Sequence, residues 1–313
     1  MNHDLITMGR VGVDLYPDQT GVALADVTSF SKFLGGTATN VAVASARYGH
    51  WAAVITKVGA DGFGDYVRQA LRGFGVDDRF VGTDPDLRTP IVFCEIHPPD
   101  HFPILFYREP KAPDMNLRSD ELDLAAITAA RIFWTTGTGL SDEPSRSATL
   151  DALDARAGTG LATIHDLDYR AMFWATPSEA GRWQREALAR VTIAIGNLEE
   201  CAVAVGDGSP EEMAGRILDL GALVAVVKKG PAGVAAHTGD GIFTAPPVSI
   251  EVVNGLGAGD SFGGAVCHGL LMGWDWDEVI PFANAAGAYV AGQLACADAM
   301  PDEAQVRELM ARG

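Results

Sequence analysis

Short apolar runs alternate along this chain with segments whose apolar positions recur every three to four residues. The runs at 5–11, 52–58, 131–135, 161–166, 193–196, 224–228 and 233–237 have the length and Val/Ile content of strands covered on both faces. Helical periodicity fills 40–49, 65–73, 145–155, 178–189, 211–220, 260–272 and 277–294. This order predicts βαβ units and a mostly parallel central sheet, an α/β fold. The last of these helices opens on Asp275-Trp-Asp-Glu278, a spacing that predicts a capping box. Two stretches break the alternation. Residues 15–34 and 88–112 carry Pro, Thr and aromatics without helical period, and are expected to leave the main sheet as a small β lid. No linker, repeat or low-complexity tract divides 1–313 further, so one domain with a lid is expected.

Charge narrows the partners. With 41 acidic against 23 basic residues the net charge is -18, a surface that repels nucleic-acid backbones and anionic membranes. An anionic ligand must then be met by locally gathered Arg and Lys. No apolar run reaches the ~18 residues of a membrane span, and Met-Asn-His-Asp enters the first strand without a signal-like segment. Cys94, Cys201, Cys267 and Cys296 lack metal or redox spacing and are expected to be reduced, buried thiols. A cytoplasmic location is expected.

The densest chemistry lies in Ile250-Glu-Val-Val-Asn-Gly-Leu-Gly-Ala-Gly-Asp260, followed by an apolar helix. Glycines permit close backbone approach, and helix-start N–H groups form an anion site. The loop has three readings: a tight turn with Asp260 as N-cap, a dinucleotide-binding turn, or an anion hole holding a carboxylate base. No Gly-Lys-Ser/Thr phosphate loop is present. Gly35-Gly36-Thr-Ala-Thr-Asn40 before an Ala/Val helix suits a polyhydroxylated ligand, or a structural turn.

Together, Gly35-Gly36-x-x-x-Asn40 and Gly257-Ala-Gly-Asp260 resemble the ribokinase-like (PfkB) carbohydrate kinases. The resemblance extends through Asp14, Gly59-Ala-Asp-Gly-Phe-Gly64, Asn197-Leu-Glu-Glu200 and Lys229-Gly230-Pro-Ala-Gly233. It implies a three-layer αβα sandwich and ATP-dependent phosphorylation of a sugar hydroxyl. Asp14, Gly35, Gly36 and Asn40 would hold the substrate. Gly257, Ala258 and Gly259 would form the anion hole, with Asp260 as base. Asn197 and Glu200 would organise Mg²⁺, and Lys229, Gly230, Gly233 and Asn284 would border the nucleotide. Asn197 could equally cap a helix, and Asn284 could be a surface amide. Many members carry Asp-Thr where this chain has Asn254-Gly255, so a monovalent-cation requirement is open here. Lid strands in the family often pair across a homodimer.

Arg108 and Arg170 fall in the expected lid and after an expected strand, where they could grip a substrate carboxylate. Otherwise Arg170 pairs with Asp166 or Asp168, and Arg108 with Glu109. Phe30-Ser-Lys-Phe-Leu-Gly-Gly36, Asp168-Tyr-Arg170 with Trp174, and Asp298-Ala-Met-Pro301 resemble the 5-dehydro-2-deoxygluconokinase branch of inositol catabolism, which phosphorylates the 6-hydroxyl of its keto-deoxy acid. Alternatives are a 2-dehydro-3-deoxygluconokinase, a fructose or ribose kinase, and a non-catalytic sensor of sugar acid or nucleotide.

Overall fold

The computed structural model describes residues 2–312. Strands are β1 (Leu5–Met8), β2 (Gly12–Pro17), β3 (Phe30–Gly35), β4 (Ala52–Gly59), β5 (Val81–Asp84), β6 (Ile91–Cys94), β7 (Ile104–Tyr107), β8 (Ile132–Thr136), β9 (Ala162–Asp166), β10 (Ile193–Asn197), β11 (Val224–Lys228), β12 (Val234–Thr238) and β13 (Gly241–Ala245). Helices are α1 (Thr37–Arg47), α2 (Gly62–Gly73), α3 (Leu124–Ala129), α4 (Ser145–Arg156), α5 (Pro177–Leu188), α6 (Leu198–Val205), α7 (Pro210–Asp219), α8 (Ala258–Met272), α9 (Trp276–Ala291) and α10 (Glu303–Arg312).

Nine strands form the main sheet in the order β13-β12-β11-β10-β9-β8-β1-β4-β5, parallel from β11 to β5 and antiparallel at β12 and β13. Both faces are covered, which is why its strands read as unbroken apolar runs. Successive side chains still take opposite faces. Trp134 packs in the layer with α1, α8 and α9, while its neighbour Phe133 packs with α4 and α5. Burying a side chain of that size contributes roughly 1.5–3 kcal/mol.

The chain leaves β1 towards β4 on one side and returns through β8 on the other, so a crevice opens at the carboxyl ends of β1 and β8. Above it stands a second sheet of four strands, β3-β2-β6-β7. Both segments expected to leave the main sheet contribute to it. The sheet is mixed, because β2 pairs with β6 in parallel and with β3 antiparallel. Tyr16, Val92, Cys94, Ile96 and Cys296 make a small core beneath it.

Three expectations need correction. The run at 5–11 is not one strand: β1 ends at Met8, and β2 begins at Gly12 in the other sheet. Strands β5 and β13 and helices α3, α6 and α10 were not foreseen. Asp275 is the N-cap of α9, but its side chain accepts no capping bond. Glu278 faces Arg307 at 3.3 Å instead of turning back to the helix start.

Candidate active site

A cavity of about 480 Å³ lies between the small sheet and the carboxyl ends of β1, β9, β10 and β11. A second, of about 410 Å³, continues past Ala258 and Gly259. The two share Lys228, Gly230, Ala258 and Gly259. Polar and charged side chains crowd the first, whereas Val234, Val248, Ile250, Val252 and Phe262 line the second, with Asn284 at its edge.

The shared wall is the start of α8. Gly257 is its N-cap at φ +80°, and a Cβ there would stand 2.7 Å from Cys296. Only glycine fits both conditions. The first N–H groups of this 15-residue helix have no intrahelical partner and face the cavities as an anion site. Asp260 is therefore not the N-cap, one of the readings open from sequence. It sits in the first turn, where its Oδ2 accepts from Asn40 Nδ2 of α1 at 2.7 Å. Burial raises its carboxyl to about 6, the Asn40 bond pulling the other way. It remains ionised at neutral pH yet is more basic than an ordinary carboxylate.

Asp14, on β2, is buried and likewise raised to about 6 by burial, with Arg10 opposing. Tyr16 Oη donates to its Oδ2 at 3.3 Å. Gly36 lines the same end at φ +106°, where a Cβ would collide with the Arg10 carbonyl. Gly35 ends β3 beside the Asp14 carboxylate but does not line the cavity.

Of the two arginines singled out, Arg170 lines the cavity, its Nε 3.3 Å from Asp168 Oδ1. Arg108 does not. Its Nη2 donates to Asp114 Oδ1 at 2.7 Å, both side chains almost fully buried, and Glu109 is not its partner. Asp168 holds φ +29°, an uncommon conformation for a residue with a side chain. Its carboxyl would be raised by burial, but Arg170 and Arg10 outweigh that and hold it below the ordinary range.

At the junction of the cavities, Asn197 and Glu200 form a reciprocal capping box: Asn197 Oδ1 accepts from Glu200 N at 2.9 Å, and Glu200 Oε2 from Asn197 N at 2.7 Å. Both also line the first cavity. Asp166, ending β9, is pushed up to about 8, chiefly by burial, with Glu200, Asp168 and Asp260 adding and Lys228 opposing. So many carboxylates around one opening suit a divalent cation. Among the described residues no cluster of three or more His, Cys, Asp or Glu side chains could hold one alone. A hard, oxygen-seeking cation such as Mg²⁺ would fit this set only with further ligands from outside the chain. Gly230 and Gly233 border the second cavity; Lys229 lines neither, although its neighbour Lys228 lines both. Asn284 Nδ2 donates to Pro246 O at 2.7 Å. Asn254 is buried, donating to Leu294 O at 2.7 Å and accepting from Leu256 N at 3.0 Å.

Sequence reasoning missed Arg10, Asp166 as a cavity residue, and Lys228. The last two carried a usable signal, because each is the charged final residue of an apolar parallel strand, the position that faces ligands in such sheets.

Comparison with known proteins finds relatives along nearly the whole chain. The pattern described as pfkB family carbohydrate kinase matches residues 2–303. A 5-dehydro-2-deoxygluconokinase of Photobacterium profundum is 34% identical over 305 residues, covering 95% of this chain and 92% of the relative. The crystal structure of a PfkB protein from Polaromonas sp. JS666 superposes with TM-score 0.87 at 25% identity, covering 97% of this chain and 99% of the other. An aminoimidazole riboside kinase from Salmonella enterica, complexed with aminoimidazole riboside and an ATP analog, superposes with TM-score 0.81 at 26% identity, covering 98% and 99%.

Proposed function

Because the chain belongs to the pfkB family of carbohydrate kinases, phosphotransferases acting on sugar-class alcohols, we propose that it transfers the γ-phosphoryl group of ATP to the 6-hydroxyl of 5-dehydro-2-deoxy-D-gluconate, in inositol catabolism. The observation that carries this reading is a cavity with a raised, helix-seated carboxylate, Asp260, at one wall and two guanidinium groups, buried Arg10 and half-buried Arg170, at another. The name of the Photobacterium profundum relative supports the same acceptor.

Asp260 is the general base. It accepts the hydroxyl proton while Asn40 fixes its second oxygen and so its direction. Gly257, Ala258 and Gly259 present backbone N–H groups to the phosphoryl oxygens, and phosphoryl transfer depends mainly on such positioning and charge stabilisation. Asp14, Gly36 and Asn40 orient the sugar hydroxyls, Gly35 giving Asp14 its room, and Arg170 faces the carboxylate. Lys228, which lines both cavities, adds positive charge where the transferred group passes between them. Gly230, Gly233 and Asn284 border the nucleotide in the second cavity, with Lys229 flanking it. Asn197 and Glu200, with Asp166, would hold Mg²⁺. Mg²⁺ would supply neutralisation of triphosphate charge. Asn254 offers no carboxylate, and its amide is taken up by Leu294 O and Leu256 N, so we expect little response to K⁺.

The small sheet acts as a lid that excludes water during transfer. Its exposed Leu105 and Tyr107 support pairing of two chains through it. We place the protein in the cytoplasm; no helix among the described residues is long and apolar enough to cross a membrane.

A coupled ADP-release assay tests the reading, using 5-dehydro-2-deoxygluconate, 2-dehydro-3-deoxygluconate, fructose, ribose and inositol as acceptors. Turnover should favour the first acid and fall at least ~10³-fold in Asp260→Asn. Preference for 2-dehydro-3-deoxygluconate would move the assignment to that kinase. Efficient use of fructose or ribose would remove the sugar-acid assignment but leave the kinase. ATP binding without turnover on any acceptor would favour a sensor.

A further inference from the structure

Arg10 belongs to none of the sequence motifs, yet it is the guanidinium most committed to the cavity. It leaves the carboxyl edge of the main sheet two residues after β1 and lines the cavity with only 8% of its surface exposed. Its Nη2 donates to Thr37 Oγ1 at 2.9 Å, and Asp168 Oδ2 is 4.0 Å away. Its Nε has no hydrogen-bond partner among the described residues. Asp168 is already engaged by Thr138 Oγ1 at 2.9 Å and by Arg170 at 3.3 Å. A buried guanidinium with spare donors is costly unless an acceptor completes it.

Arg108 also keeps an Nη1 unpartnered among the described residues, but it lies outside the cavity. Asp114 holds it with one oxygen, and with the other accepts the N–H of Val11, the residue after Arg10, at 3.2 Å. Phe106 and Phe173 meet edge to face at 5.0 Å, one beneath Arg10 at 5.4 Å and the other beneath Arg108 at 5.2 Å. Arg108 thus fixes the backbone from which Arg10 projects. Helix α1 sets the spacing to the base. Thr37 holds Arg10, and Asn40, three residues on along the same face, holds Asp260.

We propose that Arg10, together with Arg170, binds the carboxylate of the substrate and sets the preference for an acid over a neutral sugar, with Arg108 as a positioning residue behind it. This rests on the sugar-acid reading above. A guanidinium fork is matched to a carboxylate, so the contact favours acids over ketoses of the same length.

The test measures kcat and KM of the full chain for 5-dehydro-2-deoxygluconate and for fructose. Wild type, Arg10→Gln, Arg10→Lys and Arg108→Gln are compared, each with its melting temperature and ATP binding. In Arg10→Gln, KM for the acid should rise roughly 30-fold or more, with a much smaller change in kcat, and the acid-over-fructose ratio of kcat/KM should fall accordingly. Arg10→Lys keeps the charge without the fork and should recover part of that ratio. Arg108→Gln should lower the ratio less, and add nothing to Arg10→Gln when the two are combined. If wild type shows no preference for the acid, the substrate reading falls and this proposal with it. If wild type prefers the acid but a folded, ATP-binding Arg10→Gln keeps that preference within about threefold, Arg10 is not the contact while the substrate reading stands. Should Arg10→Gln fail to fold, an unchanged preference in Arg10→Lys overturns the proposal in the same way.

Discussion

Asp260 and Asp14 are carboxylates that the fold keeps reactive at the expense of stability. Each has its pKa raised from 3.8 to about 6, first of all by burial. A raised acid pKa means that the folded chain holds a proton the unfolded chain has already released between about pH 4 and 6. Stability therefore falls as pH rises through that window. Above it, ionised Asp260 costs on the order of 3 kcal/mol. Asp260→Asn keeps an acceptor for Asn40 and removes the charge. It should melt a few degrees higher than wild type at pH 7.5, with the gap closing towards pH 4, while losing turnover; differential scanning calorimetry across pH checks this. A variant melting lower at every pH would contradict the burial account. In wild type, kcat should drop about tenfold per pH unit below pH 6 as Asp260 is protonated. The glycines and acids that sequence made conspicuous do meet in the cavity, as Gly257 to Asp260, Asp14, Gly36 and Asn40 show. Arg10 was hidden because an isolated charged residue after a strand has no period or spacing. Arg108 was conspicuous for the opposite reason, although its partner Asp114 lies six residues on and buried.

Elements were legible wherever both faces of a strand or one stripe of a helix are apolar. Strands β4, β9, β10 and β11 are of that kind. Strand β13, with the sequence Gly-Ile-Phe-Thr-Ala, is mostly exposed, and α3 has only six residues, too few to show a period. The split falls at Gly9-Arg10, where one glycine and one charge between apolar residues are too short a break to show that the chain changes sheets. The start of α1 illustrates what holds elements in place at the site. Gly36 has φ +106° and abuts the Arg10 backbone, whereas Gly49, after the end of α1, has φ +86° with open space around it. Replacing either with Ala strains a positive φ, at roughly 1–2 kcal/mol. Only Gly36→Ala also pushes α1 away from Arg10, so it should destabilise more and cut kcat/KM by at least about tenfold, with Gly49→Ala near wild-type activity. Parallel thermal melts and kinetics decide it; equal effects would mean that close packing at Gly36 is unimportant.

For the whole molecule, alternation of strands and helices was enough to foretell a parallel sheet, and the breaks in it foretold the second sheet. Pairing order was not legible. Nothing in the pattern says that β2 runs parallel to β6, since that depends on contacts between segments about eighty residues apart in the chain. The resulting geometry leaves two thiols, Cys94 and Cys296, in the wall of the cavity under the small sheet, and two, Cys201 and Cys267, in the separate cores of the main domain. All four are free and buried, and burial holds their pKa values well above the ordinary one. The molecule thus contains its own chemical clock. A small alkylating reagent should tag Cys94 and Cys296 ahead of the other pair, at a rate set by how often the small sheet lifts. Saturating acceptor and nucleotide should slow that tagging, so peptide mass spectrometry can time the opening without any introduced probe.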